Sequence, residues 1–362
     1  MERIPFDRDT ELKVTGEYAV AGFNSRPGTP IPKINTPMTP KEHYLRLMRG
    51  EKPLWLPTGY DFVNISPSCI PDNVARAFIM ELTPFPIEKV GGPDFFGVEW
   101  EYVPKAGGSM VRAGKPKVPD ICSWEEYITF PDLKKIDWAQ SAKQNSALID
   151  GERVVCMTIL NGLFERLISF MDFSEAAVAL IDDEQKDAVH RLFSRLCDFY
   201  EEEIAIFKKY YNIDQFCLHD DWGSQRAPFF SPDTVREMLL PYVKRLVDFT
   251  HSQGLIFELH SCGKNEILTP VMIEAGVDVW KPQPMNDIKY LCKEYGDKIR
   301  IGISPDGLDP YNMPTEPAQF IAIAEAYVEK CRGYVGVGCS SYIGREFFET
   351  VYTLTREEYC NL

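Results

Sequence analysis

Short apolar, β-rich runs alternate with amphipathic helical stretches along most of the chain. The runs predict strands over Arg153–Thr158, Asp214–His219, Leu255–His260, Val277–Lys281, Ile299–Ile303 and Tyr334–Cys339. Between them, apolar residues at helical spacing predict helices over Ser174–Tyr210, Ser231–Gln253, Asn265–Ala275, Ile288–Tyr295 and Pro317–Cys331. Such alternation implies parallel strands with helical crossovers, in a doubly wound sheet or a (β/α)8 barrel. The barrel (TIM) form of the α/β class is favoured, because the chemically promising clusters fall at the C-terminal ends of different predicted strands. Gly91-Gly92 and Gly107-Gly108 are isolated pairs that read as turns, not as a phosphate-binding loop.

The ends of the pattern differ from its middle. Pro27, Pro30, Pro32, Pro37 and Pro40 crowd the first forty residues, so 1–38 reads as an N-terminal arm or extension. A helix starts where Thr39 can cap and Pro40 can take the first helical position. From there, 39–362 reads as one catalytic barrel domain, with 84–140 as a β-rich insertion covering the barrel mouth.

Composition narrows the function. The chain has 362 residues, 44% hydrophobic and 26% charged, enough for a large core. A formal net charge of −15 speaks against nucleic acid or an anionic membrane surface as partner. Ten cysteines without framework spacing, and no signal peptide, lead to the expectation of a soluble cytoplasmic protein without disulfides.

The strand ending in Glu258-Leu259-His260-Ser261-Cys262 sets Glu258, His260 and Cys262 at alternate positions, on one face. Imidazole and thiolate at that spacing are a metal-ligand pair. A third soft ligand, Cys339, follows the glycine-flanked run Gly333–Gly338. Two thiolates and one imidazole suit Zn2+, and three protein ligands with an open position mark a catalytic site. Buried free cysteines are also common, so spacing alone leaves both readings open. Glu258 is either a further ligand or a partner that fixes the imidazole tautomer. His219, Asp220 and Asp221 end another strand and are either functional groups or a capping cluster. His43, His190 and His251 lie in helical patterns without ligand-spaced neighbours and read as ordinary surface or helix-end residues.

Several segments together resemble the uroporphyrinogen decarboxylase superfamily: TPKEHYLRLMRGEKPLWLP, HDDWGSQRAPFFSPDTVREMLLPYVKRLVDF, HSCG followed by IEAGVDVWKPQP, and GVGCS. The resemblance spans roughly residues 39–345. The decarboxylases proper carry PxWxMRQAGRY near the first strand; here Pro53-Leu54-Trp55-Leu56-Pro57-Thr58-Gly59-Tyr60 lacks the arginine that holds substrate carboxylates. The other branch, the zinc-dependent corrinoid methyltransferases, carries HxC…C where this chain has His260, Cys262 and Cys339.

The resemblance therefore implies a TIM barrel holding Zn2+ through His260, Cys262 and Cys339. It also implies a corrinoid (cobalamin) carried by a separate protein in trans, since the chain has no DxHxxG signature. The expected reaction is O-demethylation, in which a methyl group passes from a methoxylated aromatic to cobalt(I). Thiol methylation of the coenzyme M type, a decarboxylase-like lyase and a non-catalytic zinc-containing binding protein are the alternatives. The aromatic ether is preferred because Trp55, Tyr60, Phe62, Trp222, Phe229 and Phe230 are candidates for the lining, and Arg226 alone could meet a sulfonate. The candidate catalytic residues are His219, Asp221 and Tyr60; the candidate substrate contacts are Trp55, Asp61, Trp222 and Phe230. Ser304-Pro305-Asp306 ends a further strand and carries a weaker expectation. Homodimerisation is left open.

Overall fold

The computed structural model describes residues 4–105, 107–307, 314–334 and 343–360. The N-terminal arm contains α1 (Arg8–Glu11) and an antiparallel pair, β1 (Val14–Tyr18) and β2 (Ile31–Ile34). Helix α2 (Pro40–Met48) starts as the sequence predicts: the Thr39 hydroxyl accepts from the Glu42 amide at 3.2 Å. β3 (Phe62–Ile65) and α3 (Pro71–Ala75) follow. The insertion then contributes a three-stranded antiparallel sheet, β4 (Gly92–Pro93), β5 (Glu99–Val103) and β6 (Gly108–Val111).

Strand content in the insertion is confined to 92–111, which corrects the expectation for 84–140. The remainder forms turns and α4 (Trp138–Gln144), because Asp120, Asp132 and Asp137 each bond a backbone amide two or three residues on.

Thereafter strands and helices alternate: β7 (Val154–Ile159), α5 (Leu163–Met171), α6 (Phe173–Ala179), α7 (Lys186–Tyr211), β8 (Gln215–His219), α8 (Pro232–Met238), α9 (Leu240–Ser252), β9 (Ile256–His260), α10 (Thr269–Ala275), β10 (Val279–Trp280), α11 (Ile288–Tyr295), β11 (Arg300–Ile301), α12 (Pro317–Cys331) and α13 (Arg345–Cys360). Two helices expected as continuous are divided. Asp182 ties down the turn between α6 and α7 through Glu184 and Gln185, and Pro241 opens α9 without an amide to donate.

The six parallel strands lie in the order β11-β10-β9-β8-β7-β3. Their order in space is their order in sequence. A doubly wound sheet reverses direction at a switch point, whereas this sheet winds one way, as a barrel wall does. The strand expected over Tyr334–Cys339, which would bear on closure, lies outside the described residues apart from Tyr334.

Alternation along the strands separates two environments. Phe216, Leu218, Phe257 and Leu259 are fully buried among the apolar side chains of the main core. The other face carries polar and sulfur groups in register, Cys217 beside Glu258 and His219 beside His260. One layer down, Gln215 and Lys281 both donate to Glu258, and the Tyr44 hydroxyl donates to Gln215.

Buried ion pairs fix the accessory parts. The Arg166 guanidinium, 0% exposed, bridges Asp72 at 2.9 Å and Asp94 at 2.6 Å, tying α5 to α3 and to the insertion. Asp94 also accepts from the amides of Phe96 and Val98 and from the Trp100 indole. At the other side, Arg356 of α13 grips Glu11 with two bonds of 2.8 and 2.7 Å. No described helix is long and apolar enough to cross a membrane.

Arg166→Leu strands two buried carboxylates and is expected to cost about 3–5 kcal/mol in urea unfolding. Arg191→Leu, which removes an exposed pair with Glu125, is expected to cost under about 1 kcal/mol.

Candidate metal and active site

The site is built where β8 and β9 end. His219 and His260 are register partners on these strands, and their rings stack with centroids 4.5 Å apart. The next two residues after His219 diverge. Asp220 turns away and caps α5, accepting from the amides of Phe164 and Glu165. Its close packing requires glycine at 162, where a Cβ would lie 2.4 Å from that of Asp220. Asp221 turns towards the loop after β9 and accepts from the Cys262 amide at 2.6 Å.

That loop is held from several sides. The Ser261 hydroxyl accepts from the Trp222 amide, Asn265 donates to the Cys262 carbonyl, and Gln283 accepts from the Gly263 amide. At Gly263, φ is +102° and a Cβ would fall 2.3 Å from the Gly223 backbone, so the loops after β8 and β9 touch only as glycines.

Together these constraints bring ligand atoms of His219, Asp221 and His260 within 4.8 Å of one another. The Cys262 sulfur lies 3.4 Å from His260 Nε2. Behind His219 stands Glu165 of α5, whose Oε2 accepts from Nδ1 at 2.6 Å and whose Oε1 meets Arg76 at 3.1 Å. Arg76 also donates to Asn161 at 2.6 Å. Glu165 thus leaves Nε2 of His219 as the free ring nitrogen, the arrangement that metal-binding histidines use.

Electrostatics agree with that geometry. Burial and the neighbouring His219 push His260 down to about 3, so its imidazole is neutral. Burial works against ionisation of Glu165, but His219 and Arg76 outweigh it and hold the carboxylate down at about 2. Burial opposes the charge on His219, yet Glu165 raises its pKa above the ordinary value. Burial and the Asp221 carboxylate raise the Cys262 thiol. Two nitrogens and a carboxylate within reach of one another, with the Cys262 sulfur against one of the nitrogens, fit a borderline divalent cation. Beside this group opens a cavity of about 490 Å3 that reaches from Asp221 and Glu165 to Trp100 of the insertion.

The expected residues divide into three groups. His219, Asp221 and His260 come together, with Cys262 against His260. Cys339 lies outside the described residues. Ser304 and Asp306 stand apart from the group, Asp306 pairing with Lys330 on α12.

Glu258 is corrected. It shares the face of His260, but Lys281 and Gln215 hold its carboxylate one layer deeper. Tyr60, Trp55 and Asp61 are also corrected. The Tyr60 hydroxyl accepts from the Ile34 amide and its ring stacks on Phe348 at 3.8 Å, while the Trp55 indole donates to Asp61 at 2.9 Å. These three buried side chains clamp the arm and α13 to the segment that leads into β3.

Trp222 is buried with its indole on Asp220, and Phe230 packs edge-on against Phe164, so both support α5 from behind. His43 is buried and stacked on Trp55 at 3.7 Å, not a surface residue. Glu165 and Arg76 were missed. The visible trace was the pair Glu165-Arg166 inside the apolar run 163–171, just after a predicted strand.

No protein-family model matches the chain, and no curated sequence matches it. Among solved structures it is similar to a methyltransferase from Methanosarcina mazei, at 15% identity and TM-score 0.59, over 89% of this chain and 99% of that one. That likeness establishes a shared fold. An intracellular xylanase from Thermoanaerobacterium saccharolyticum matches at 10% identity and TM-score 0.37, covering 58% of this chain and 72% of its own. A sugar phosphate isomerase/epimerase from Parabacteroides distasonis matches at 12% identity and TM-score 0.32, covering 65% of this chain and 82% of its own. At those scores the two carry no weight.

Competition against a chromogenic chelator is expected to show Zn2+ binding that is lost in His260→Ala. In Glu165→Gln, where His219 loses its anionic partner, binding should weaken about 10–100-fold. Proton and metal compete for His219, whose pKa is raised, so affinity should fall as pH is lowered through that pKa, with protons released on binding. Unchanged affinity in both variants would place the metal elsewhere.

Proposed function

We propose that the chain is a zinc-dependent methyltransferase that moves the methyl group of an aryl methyl ether to the cobalt(I) of a separate corrinoid protein. The observation that carries this reading is the meeting of His219, Asp221 and His260, with Cys262 against His260, beside a cavity whose lining includes Trp100 and Phe173. The near full-length fold likeness to a Methanosarcina mazei methyltransferase supports it.

Zinc, when bound, would supply Lewis acidity to the heteroatom that carries the methyl group. His260, Cys262 and His219 or Asp221 are the described donors, and Cys339 is retained as a proposed ligand. Glu165 keeps His219 oriented, with Arg76 holding Glu165 in turn. The rigid Ser261–Asn265 loop keeps Cys262 in place. The insertion and α5 wall the donor into the cavity, so that the methyl group is presented to the approaching nucleophile and not to water. The carbon–oxygen bond breaks with its electron pair left on the phenolate oxygen. Asp221 lines the cavity, and His219 stands next to it in the metal-ligand group.

The test combines metal analysis with a spectroscopic cobalt(I) assay, using purified corrinoid protein and a panel of methoxylated aromatics. Near-stoichiometric zinc and loss of the cobalt(I) absorbance are expected with at least one ether, with activity falling by more than about 100-fold in His260→Ala. Methyl transfer from methylated corrinoid to a thiol, with no ether consumed, would replace this reading with thiol methylation.

A further inference from the structure

The cavity beside Asp221 has a charge balance that a carboxylated donor does not fit. Its charged lining side chains are Arg76, Glu165, Asp172 and Asp221. Among the described lining residues Arg76 is the sole cation, and its guanidinium is committed: it is bonded to Glu165 and Asn161 and lies over the Trp100 ring at 5.0 Å. Three carboxylates therefore face one guanidinium that is already paired. An incoming anion would have to break the Arg76–Glu165 pair and would meet Asp172, the lining carboxylate that is neither paired with Arg76 nor part of the metal-ligand group.

Asp172 supplies a second, independent observation. It joins α5 to α6 with φ +72° and ψ 158°, a backbone region essentially reserved for glycine. A junction of this shape is easiest to make with glycine, yet here it bears a carboxylate. The described partner of that carboxylate is one exposed amide, Gly114 N–H, at 2.9 Å. The next residue, Phe173, is 44% exposed and packs edge-on against Phe229, itself 37% exposed, at 4.9 Å. An acidic group is thus set next to open aromatic surface in the cavity wall. Aromatic faces with a nearby carboxylate favour aryl rings and cationic substituents.

Resting on the methyl-ether reading, we propose that this cavity selects aryl methyl ethers without negative charge and that Asp172 is a specificity-determining residue favouring a cationic substituent on the ring. The Arg76–Glu165 pair serves the same selection by leaving no free cation for a carboxylate among the described lining residues.

The test is a binding measurement on the zinc-loaded full chain, by calorimetry and quenching of tryptophan fluorescence. Three probes of similar size are used: 2-methoxyphenol (neutral), 4-methoxyphenethylamine (cation) and 4-methoxybenzoate (anion). The neutral and cationic probes are expected to bind, the benzoate about tenfold or more weaker than the neutral one. Asp172→Asn keeps an acceptor for Gly114 and tolerates positive φ, and is expected to lower affinity for the amine several-fold while leaving the neutral probe unchanged. Benzoate binding equal to or tighter than the neutral probe would overturn the proposal, as would binding of none of the three, or an amine affinity indifferent to Asp172→Asn. Because the readout is binding, failure of methyl transfer in the cobalt assay leaves this order measurable, and a reversed order leaves O-demethylation standing.

Discussion

The carboxylate of Asp220 is the contact on which the site depends. It is fully buried and caps the first amides of α5, while its neighbour His219 points to the other side of the same strand end. Strand geometry forces that divergence. The capped helix then sends Glu165 back to His219, so the strand end positions the helix and the helix positions the strand-end imidazole. Loss of Glu165 would leave Arg76 without its ion-pair partner and His219 without its acceptor.

Much of the framework was legible in the chain, for definite reasons. The end of β9 announced itself because side-chain alternation survives to the last residue of a strand, and His260 with Cys262 follows from it directly. Helices α11 and α12 have the bounds their periodicity predicts, since nothing interrupts their apolar spacing. Glu165 was not legible because a helix crossing over the strand ends brings it to His219 across 54 positions of sequence. Periodicity describes one element at a time and is silent about which elements meet. Tyr60, Trp55 and Asp61 misled for a related reason: aromatic and acidic residues after an early strand look like a mouth lining until the N-terminal arm is seen to cover them.

Glu258 shows how a correct local inference can still assign the wrong partner. Alternation places it on the inner face, as read from the sequence. It does not say how deep that position lies, and Lys281, just after β10, approaches closely enough to neutralise it, passing over Gly302, where a Cβ would lie 2.2 Å from Lys281 Cγ. This face of the sheet is thus layered, with an internally satisfied polar stratum beneath and the candidate metal-ligand group above. Buried polar groups that satisfy each other make a rigid floor.

The Glu11–Arg356 grip has a bearing on how the protein comes into being. Its two partners are separated by 345 positions, so the arm finds its anchor only after α13 has been made. During synthesis the N-terminal segment emerges first and must wait, with Phe6 and the hydrophobic side of β1 and β2 lacking their eventual cover. The cover of the arm's apolar side is therefore among the last contacts that synthesis makes possible.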